Sequence, residues 1–398
     1  MHSFSLHVIR CALWGGEAPV VNDWEAVFAD LRKHCLTNLA YKHAAKSDIS
    51  TALYKAWDRD HVFHLTEYVR MLAMQEELTD LFNRHGISHA IVKGLAAGRY
   101  YPEPAERIYG DIDILIPDEE AFGRAEKLLL ENNFILVPGN GSPNKDHEDD
   151  RHHAYTKNQV HFEVHRYFSA GIDETDRELD QILGSVTPVT AQVEDHKFNV
   201  LPEPYNGITI LEHIRHHMIT GIGFRQIIDW CCYVDKILTD EYWQSDFEQL
   251  ANCLSLRPLA VYLTRLCELN FGLRHRAFAE EADEQICADL FKEIDTAGNF
   301  GMTRNYGDFE VRSAVVNGHI FSHLQKNGEN KWPALKKHKW LRPFAWLWEG
   351  CRVFFSLLSR GQLLRTLAGL FRHKANKQKS TGPDMWEVLG IGKYRKAE

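Results

Sequence analysis

Residues 107–116 read RIYGDIDILI, and no other stretch says as much about the fold. Apolar residues run from Ile112 to Ile116 and Pro117 ends them, which predicts a short strand. Successive side chains of a strand point to opposite faces. Ile112, Ile114 and Ile116 therefore share a face directed into a core, and Asp111 and Asp113 share the other. Two carboxylates on one face repel each other and resist burial, so something positive should compensate. A divalent cation meets that need with a single ion. Magnesium takes oxygen ligands and is commonly held by one or two carboxylates plus substrate phosphates. The plainer alternative is a strand edge carrying two solvated aspartates.

Upstream, residues 91–98 read IVKGLAAG, a strand that runs into a glycine turn. Gly94 would let backbone N–H groups approach a phosphate, and Lys93 would add a charge. Residues 103–107, EPAER, carry nearby prolines and read as loop. Downstream, residues 161–168 read HFEVHRYF and alternate like a strand. Glu163 lies on the face opposite Phe162 and Val164. If this strand neighbours the D-x-D strand, Glu163 is a third carboxylate, and three carboxylates can hold two metal ions about 4 Å apart. His161, Glu163 and His165 share a strand face, which makes H-x-E-x-H a candidate zinc set. The acidic pair favours an oxygen-ligated ion instead, with His165 orienting Glu163 or touching substrate. His152 and His153 fall in a polar loop and read as solvated. His213 and His217 are four apart on a helix, either a chelating pair or one packed ring and one exposed. Arg225 and Asp229, in FRQIIDW, have the spacing that lets a helix pair them.

The rest of the chain bounds the function. It has 398 residues, 44% apolar and 25% charged, which reads as a globular protein able to bury a sizeable core. A net charge of −9 argues against a whole-surface nucleic-acid binder, and no sequence-specific nucleic acid is expected as a partner. None of the eight cysteines forms a C-x-x-C pair, so reduced thiols and a cytoplasmic location are expected. The opening MHSFSLHVIRCALWGG lacks the features of a secretory signal. Residues 1–85 read as a helical segment that Gly86 stops, 86–204 as a mixed α and β core, and 205–330 as a helical domain. Residues 331–398 read as a basic amphipathic segment. Between Lys331 and Ser380 there are twelve Lys and Arg against one acid, Glu349. Such a helix can lie on an anionic membrane surface, or pack on the acidic remainder of the chain.

The order VKG, then R-x-x-GDIDILI, then FEVH, then FRQIIDW resembles the uncharacterised bacterial nucleotidyltransferase family of the DNA polymerase beta-like superfamily. The resemblance runs from about Ile87 to Asp235. It implies an α+β fold: a nucleotidyltransferase core with a short mixed sheet, flanked by N-terminal helices and a larger C-terminal helical domain. It also implies a Mg²⁺-dependent (or Mn²⁺-dependent) enzyme that moves a nucleoside monophosphate from a nucleoside triphosphate to a hydroxyl acceptor. By that resemblance Asp111 and Asp113 bind metal, and Glu163 joins them and activates the acceptor. Lys93, Gly94, Arg107, Gly110 and Arg225 hold the nucleotide. The superfamily's usual Gly-Ser pair is Gly94-Leu95 here, so Lys93 and Arg107 are expected to replace the serine's grip on phosphate. Two further readings are a binding module of the same fold without activity and a metal-dependent phosphohydrolase.

Overall fold

The computed structural model describes residues 1–17, 20–45, 47, 49–137, 152–169, 171, 174–299, 343, 346 and 384–391. The basic amphipathic segment expected beyond residue 331 falls almost entirely outside them. The chain opens with helices α1 (Ser3–Trp14), α2 (Trp24–Lys33), α3 (Thr37–Ala44) and α4 (Thr51–Arg84). With 34 residues, α4 is about 51 Å long. Its start is capped by Ser50, whose hydroxyl accepts from the Leu53 N–H. Gly86 follows its end with φ +62°.

A mixed sheet comes next. Strand β1 (Ala90–Val92) leads into the five-residue helix α5 (Gly94–Gly98), and β2 (Ile112–Leu115) into helix α6 (Glu119–Glu131). The stretch expected as loop, Pro104–Glu106, forms a single 3₁₀ turn, because Pro104 and the Glu103 carbonyl close it locally. Asp118 caps α6 by accepting from the Ala121 N–H, and Glu119 and Glu120 fill its first turn. Strands β3 (Ile135–Leu136), β4 (His152–Lys157) and β5 (Val160–His165) follow, then helix α7 (Glu174–Ser185) and the hairpin β6 (Val189–Val193) and β7 (His196–Val200). The described strands form one sheet in the order β3-β4-β5-β2-β1-β7-β6. β2 runs parallel to β5 and antiparallel to β1, and β1 runs parallel to β7.

Two cores cover the two faces of this sheet. Ile91, Ile112, Ile114, Ile116, Phe162, Val164 and Val200 pack with the second half of α4 and with α6. Fully burying each such side chain contributes roughly 1.5–3 kcal/mol, which offsets the cost of the charges on the other face. On that face Ala90, Val92 and Leu115 join the N-terminal helices and helices α8 (Tyr205–Thr220) and α9 (Phe224–Lys236). Gly221 and Gly223 divide what reads as one long helical pattern into α8 and α9. Cys231 and Cys232 are buried in α9 as apolar packing. Further helices cover Arg257–Phe271 and Glu284–Ala297. No helix among the described residues is long and apolar enough to cross a membrane.

The hairpin between β4 and β5 fixes the position of the second of the two central strands. Lys157 pairs with Val160, so the loop is two residues, Asn158 and Gln159. Both have positive φ, +50° and +65°, as the tight hairpin turn that matches strand twist requires.

Candidate functional site

The site grows out of strand register. In the parallel pair of β2 and β5, Asp113 lies directly opposite Glu163, and on its other side Asp113 faces Val92. Period 2 then puts Asp113, Glu163 and His165 on the face away from the isoleucines. Asp111 immediately precedes β2 and leans on the same cavity. Lys93 follows Val92 with φ +56° and ψ −133°, a conformation rare for a residue with a side chain and costing about 1–3 kcal/mol. That turn aims the ammonium over β2, where Nζ donates to Asp113 Oδ1 at 2.6 Å. Gly94 keeps the turn tight: a Cβ there would lie 3.4 Å from the Asp111 carbonyl oxygen.

His165 ties the carboxylates together. Its Nε2 is 2.9 Å from Asp113 Oδ1 and 3.4 Å from Glu163 Oε2. Burial works against the Asp113 charge, but Lys93 and His165 outweigh it and hold the carboxyl well below the usual range. The His165 hydrogen bond likewise lowers Glu163. Asp111 goes the other way, pushed up to about 6 by the Asp113 charge and by burial. Asp113, Glu163 and His165 offer three ligand atoms within 4.8 Å of one another.

The eight residues that the resemblance assigns to the site, Lys93, Gly94, Arg107, Gly110, Asp111, Asp113, Glu163 and Arg225, line one cavity of about 390 Å³. A Cβ added to Gly110 would meet nothing within 4 Å. The arginines differ from the local reading. Asp229 does not pair with Arg225 one turn earlier. It takes Arg107 in two parallel bonds, Nε to Oδ1 and Nη2 to Oδ2, both 2.8 Å. Arg225 donates from Nη1 to the Ile108 carbonyl at 2.8 Å. Burial, then the neighbouring Arg107 charge, lower the Arg225 pKa. Arg107 thus lines the cavity with its charge matched, while Arg225 brings a second guanidinium to the same wall.

Several histidines take places that local pattern does not assign. His213 and His217 of α8 are both partly buried, with rings 4.6 Å apart, and both line the cavity instead of splitting into one packed and one exposed ring. Burial lowers both: His213 lies well below its usual value and His217 is at about 3, helped by His216. His152 and His153 belong to β4 and not to a solvated loop. The first stacks on His165 at 5.1 Å and the second pairs with Glu126. His161 is exposed, and the described metal-ligand cluster takes Asp113 in its place. Cys35 and Asn299 also line the cavity, brought there from distant parts of the chain that no local pattern marks.

A second cavity of about 340 Å³ adjoins the first. The two share Lys93, Glu163, His213 and His217, and the second adds His152, His165, Tyr167, Phe168, Ser169, Glu212 and His216. Beneath it Arg215 donates to Asp176 at 2.8 Å and pairs with Glu212 at 2.6 Å, all three buried. Burial, only partly countered by Arg215, pushes Glu212 up to about 8.

The fold and the carboxylate-lined cavity define the chain's class: an α+β protein of nucleotidyltransferase type. More narrowly, residues 21–272 match the profile of the uncharacterised nucleotidyltransferase family, and the chain belongs to that family. Among solved structures, the crystal structure of an antigenic nucleotidyltransferase-like protein from Paracoccidioides brasiliensis is similar with a TM-score of 0.33 and 16% identity, over 54% of this chain and 97% of that one. No curated protein gives a significant match.

Proposed function

We propose that the protein transfers a nucleoside monophosphate from a nucleoside triphosphate to a hydroxyl acceptor and releases pyrophosphate. One observation carries the reading: three carboxylates, Asp111, Asp113 and Glu163, and the cations Lys93 and Arg225 line a single cavity. Its volume of about 390 Å³ lies in the range of small-molecule sites. The donor set suits a divalent cation, because Asp113 and Glu163 stay ionised and their oxygens lie close together. Asp111, Asp113 and Glu163 would hold it, and when bound it would supply charge stabilisation to the phosphates.

The chain's own groups divide the remaining work. Lys93 meets Asp113 through the tip of a flexible stem, so its ammonium can pass from that carboxylate to a triphosphate oxygen. Arg225 offers a planar fork suited to the same oxygens. Arg107, held by Asp229, fixes the course of residues 107–110 and so places Asp111. Glu163 stands on the wall that the two cavities share, so an acceptor entering the second cavity brings its hydroxyl to this carboxylate. The acceptor oxygen would attack the α-phosphorus, its proton passing to Glu163, and the bond to the β-phosphate oxygen would break to leave pyrophosphate.

A second reading, nucleotide binding without transfer, draws support from Lys93, which occupies Asp113 Oδ1 in this structure, and from Leu95 standing where the superfamily usually has serine. Pyrophosphate release and transfer of label from an α-labelled nucleoside triphosphate, with cell extract supplying the acceptor, tests the reading. Labelled product that disappears in Asp113→Asn supports transfer. Tight nucleotide binding with no labelled product in any extract would leave only the second reading.

A further inference from the structure

We propose that His165 is a metal ligand and that, with Asp113 and Glu163, it builds a mixed nitrogen–oxygen site selective for manganese, or another first-row divalent ion, over magnesium. This rests on the divalent-ion reading of the cavity and narrows it.

The distances fit. Two ligands about 2.1 Å from an ion, on perpendicular bonds, are about 3.0 Å apart. His165 Nε2 stands 2.9 Å from Asp113 Oδ1 and 3.4 Å from Glu163 Oε2, close to that edge length on both sides. A hydrogen-bonded Nε2–H explains the same two distances without an ion, so distance alone does not decide.

Rigidity does more. His165 is 7% exposed. It sits on a strand paired on both sides, with β2 and with β4, and the His152 ring stacks against it. The two paired neighbours fix the strand that carries the ring, and His152 covers one side of it. An ion placed between Asp113 and Glu163 therefore meets Nε2. Lys93 shares Asp113 Oδ1 but hangs on a flexible four-carbon stem, so it yields the position more readily than the shorter imidazole does.

The donor set then selects the metal. Imidazole nitrogen is a ligand of zinc, copper, iron and nickel, manganese accepts it beside carboxylates as a transition ion can, and magnesium keeps to oxygen ligands and water. A cavity with one fixed nitrogen among its three closest donors disfavours magnesium relative to manganese.

The test uses the full-length protein stripped by chelator and titrated calorimetrically with Mn²⁺ alone and with Mg²⁺ alone. Pulsed electron paramagnetic resonance of the bound Mn²⁺ reads any directly coordinated nitrogen. We expect Mn²⁺ to bind at least about tenfold more tightly than Mg²⁺, a difference of about 1.4 kcal/mol. Nitrogen coupling should be present in the wild type, absent in His165→Gln, and retained in a protein carrying both His213→Gln and His217→Gln. Equal affinities, or no nitrogen coupling in the wild type, would overturn the inference and leave the nucleotidyltransferase reading standing. Coupling that survives His165→Gln, or that vanishes with the α8 pair, would also overturn it. Absence of binding by either ion would overturn the metal-dependent reading itself.

Discussion

Replacing Asp229 with alanine should destabilise the protein by about 4 kcal/mol without touching a carboxylate of the site. The Asp229 carboxylate accepts two bonds from Arg107 at 2.8 Å and one from the Tyr101 hydroxyl at 2.9 Å. The two charged side chains are only 4% and 6% exposed. Removing one partner of a buried ion pair costs about 3–5 kcal/mol, because the other charge is left uncompensated. Arg107→Ala should cost a similar amount by stranding Asp229. The double variant removes both charges together, so its cost should fall short of the sum by about 2 kcal/mol or more. Urea denaturation of the four proteins, followed by circular dichroism and by tryptophan fluorescence, measures each value. Single costs under about 1 kcal/mol, or costs that simply add, would show that no strong buried pair exists. The guanidinium would then be held by other groups and less tightly fixed over residues 107–110.

Glu163→Gln should lower kcat by about 10²–10⁴ while nucleotide affinity, measured by calorimetry, persists, since a group acting on the acceptor proton contributes mainly in the transition state. Lys93→Ala should show the reverse balance, weakening nucleotide binding about tenfold before it affects turnover at saturation; unchanged affinity would remove Lys93 from the phosphate site. Asp111→Asn should abolish transfer, yet raise the melting temperature of chelator-treated protein, because it relieves like-charge repulsion with Asp113. Glu212 titrates at about 8 in the folded chain, above its ordinary 4.5, so the stability it lends is complete below about pH 4.5 and is lost as pH rises through 8. At one pKa unit per roughly 1.4 kcal/mol, the loss is on the order of 5 kcal/mol. Glu212→Gln should flatten it, and parallel pH–stability curves for the two proteins would show the assignment to be wrong.

Local pattern in this chain reports strand and helix phase. Alternation around Asp111 and Asp113 gives the two faces of β2, and Phe162 and Val164 give those of β5, so the facing carboxylates are legible once the strands are taken as neighbours. The acidic turn of α6 is legible for the same reason, being a few residues wide. Partners across long sequence distance are not. The i, i+4 spacing offers Arg225 to Asp229, but Arg107, 122 residues away, takes the carboxylate with a matched planar fork. His213 and His217 read as either a chelating pair or one packed and one exposed ring, because nothing local says which face of α8 meets the sheet. The β6–β7 hairpin escapes notice although Val189–Val200 alternates around a Glu-Asp turn. Its edge strand β6 is largely exposed, so its apolar signal is thin.

The two-residue turn of Asn158 and Gln159 sets how the site can change over evolution. β5 is aligned to β4 by this turn and to β2 by its own hydrogen bonds, and Glu163 lies only four residues past Gln159. Adding or deleting one residue there would slip β5 by one position, turning Phe162 and Val164 outward and taking Glu163 and His165 off the cavity together. The hairpin can therefore drift in composition, as any pair tolerant of positive φ will serve, but its length is frozen. Asn-Gly should be accepted there with equal or better stability, and a single-codon insertion should be lethal to function although it lies on the surface and touches no residue of the cavity.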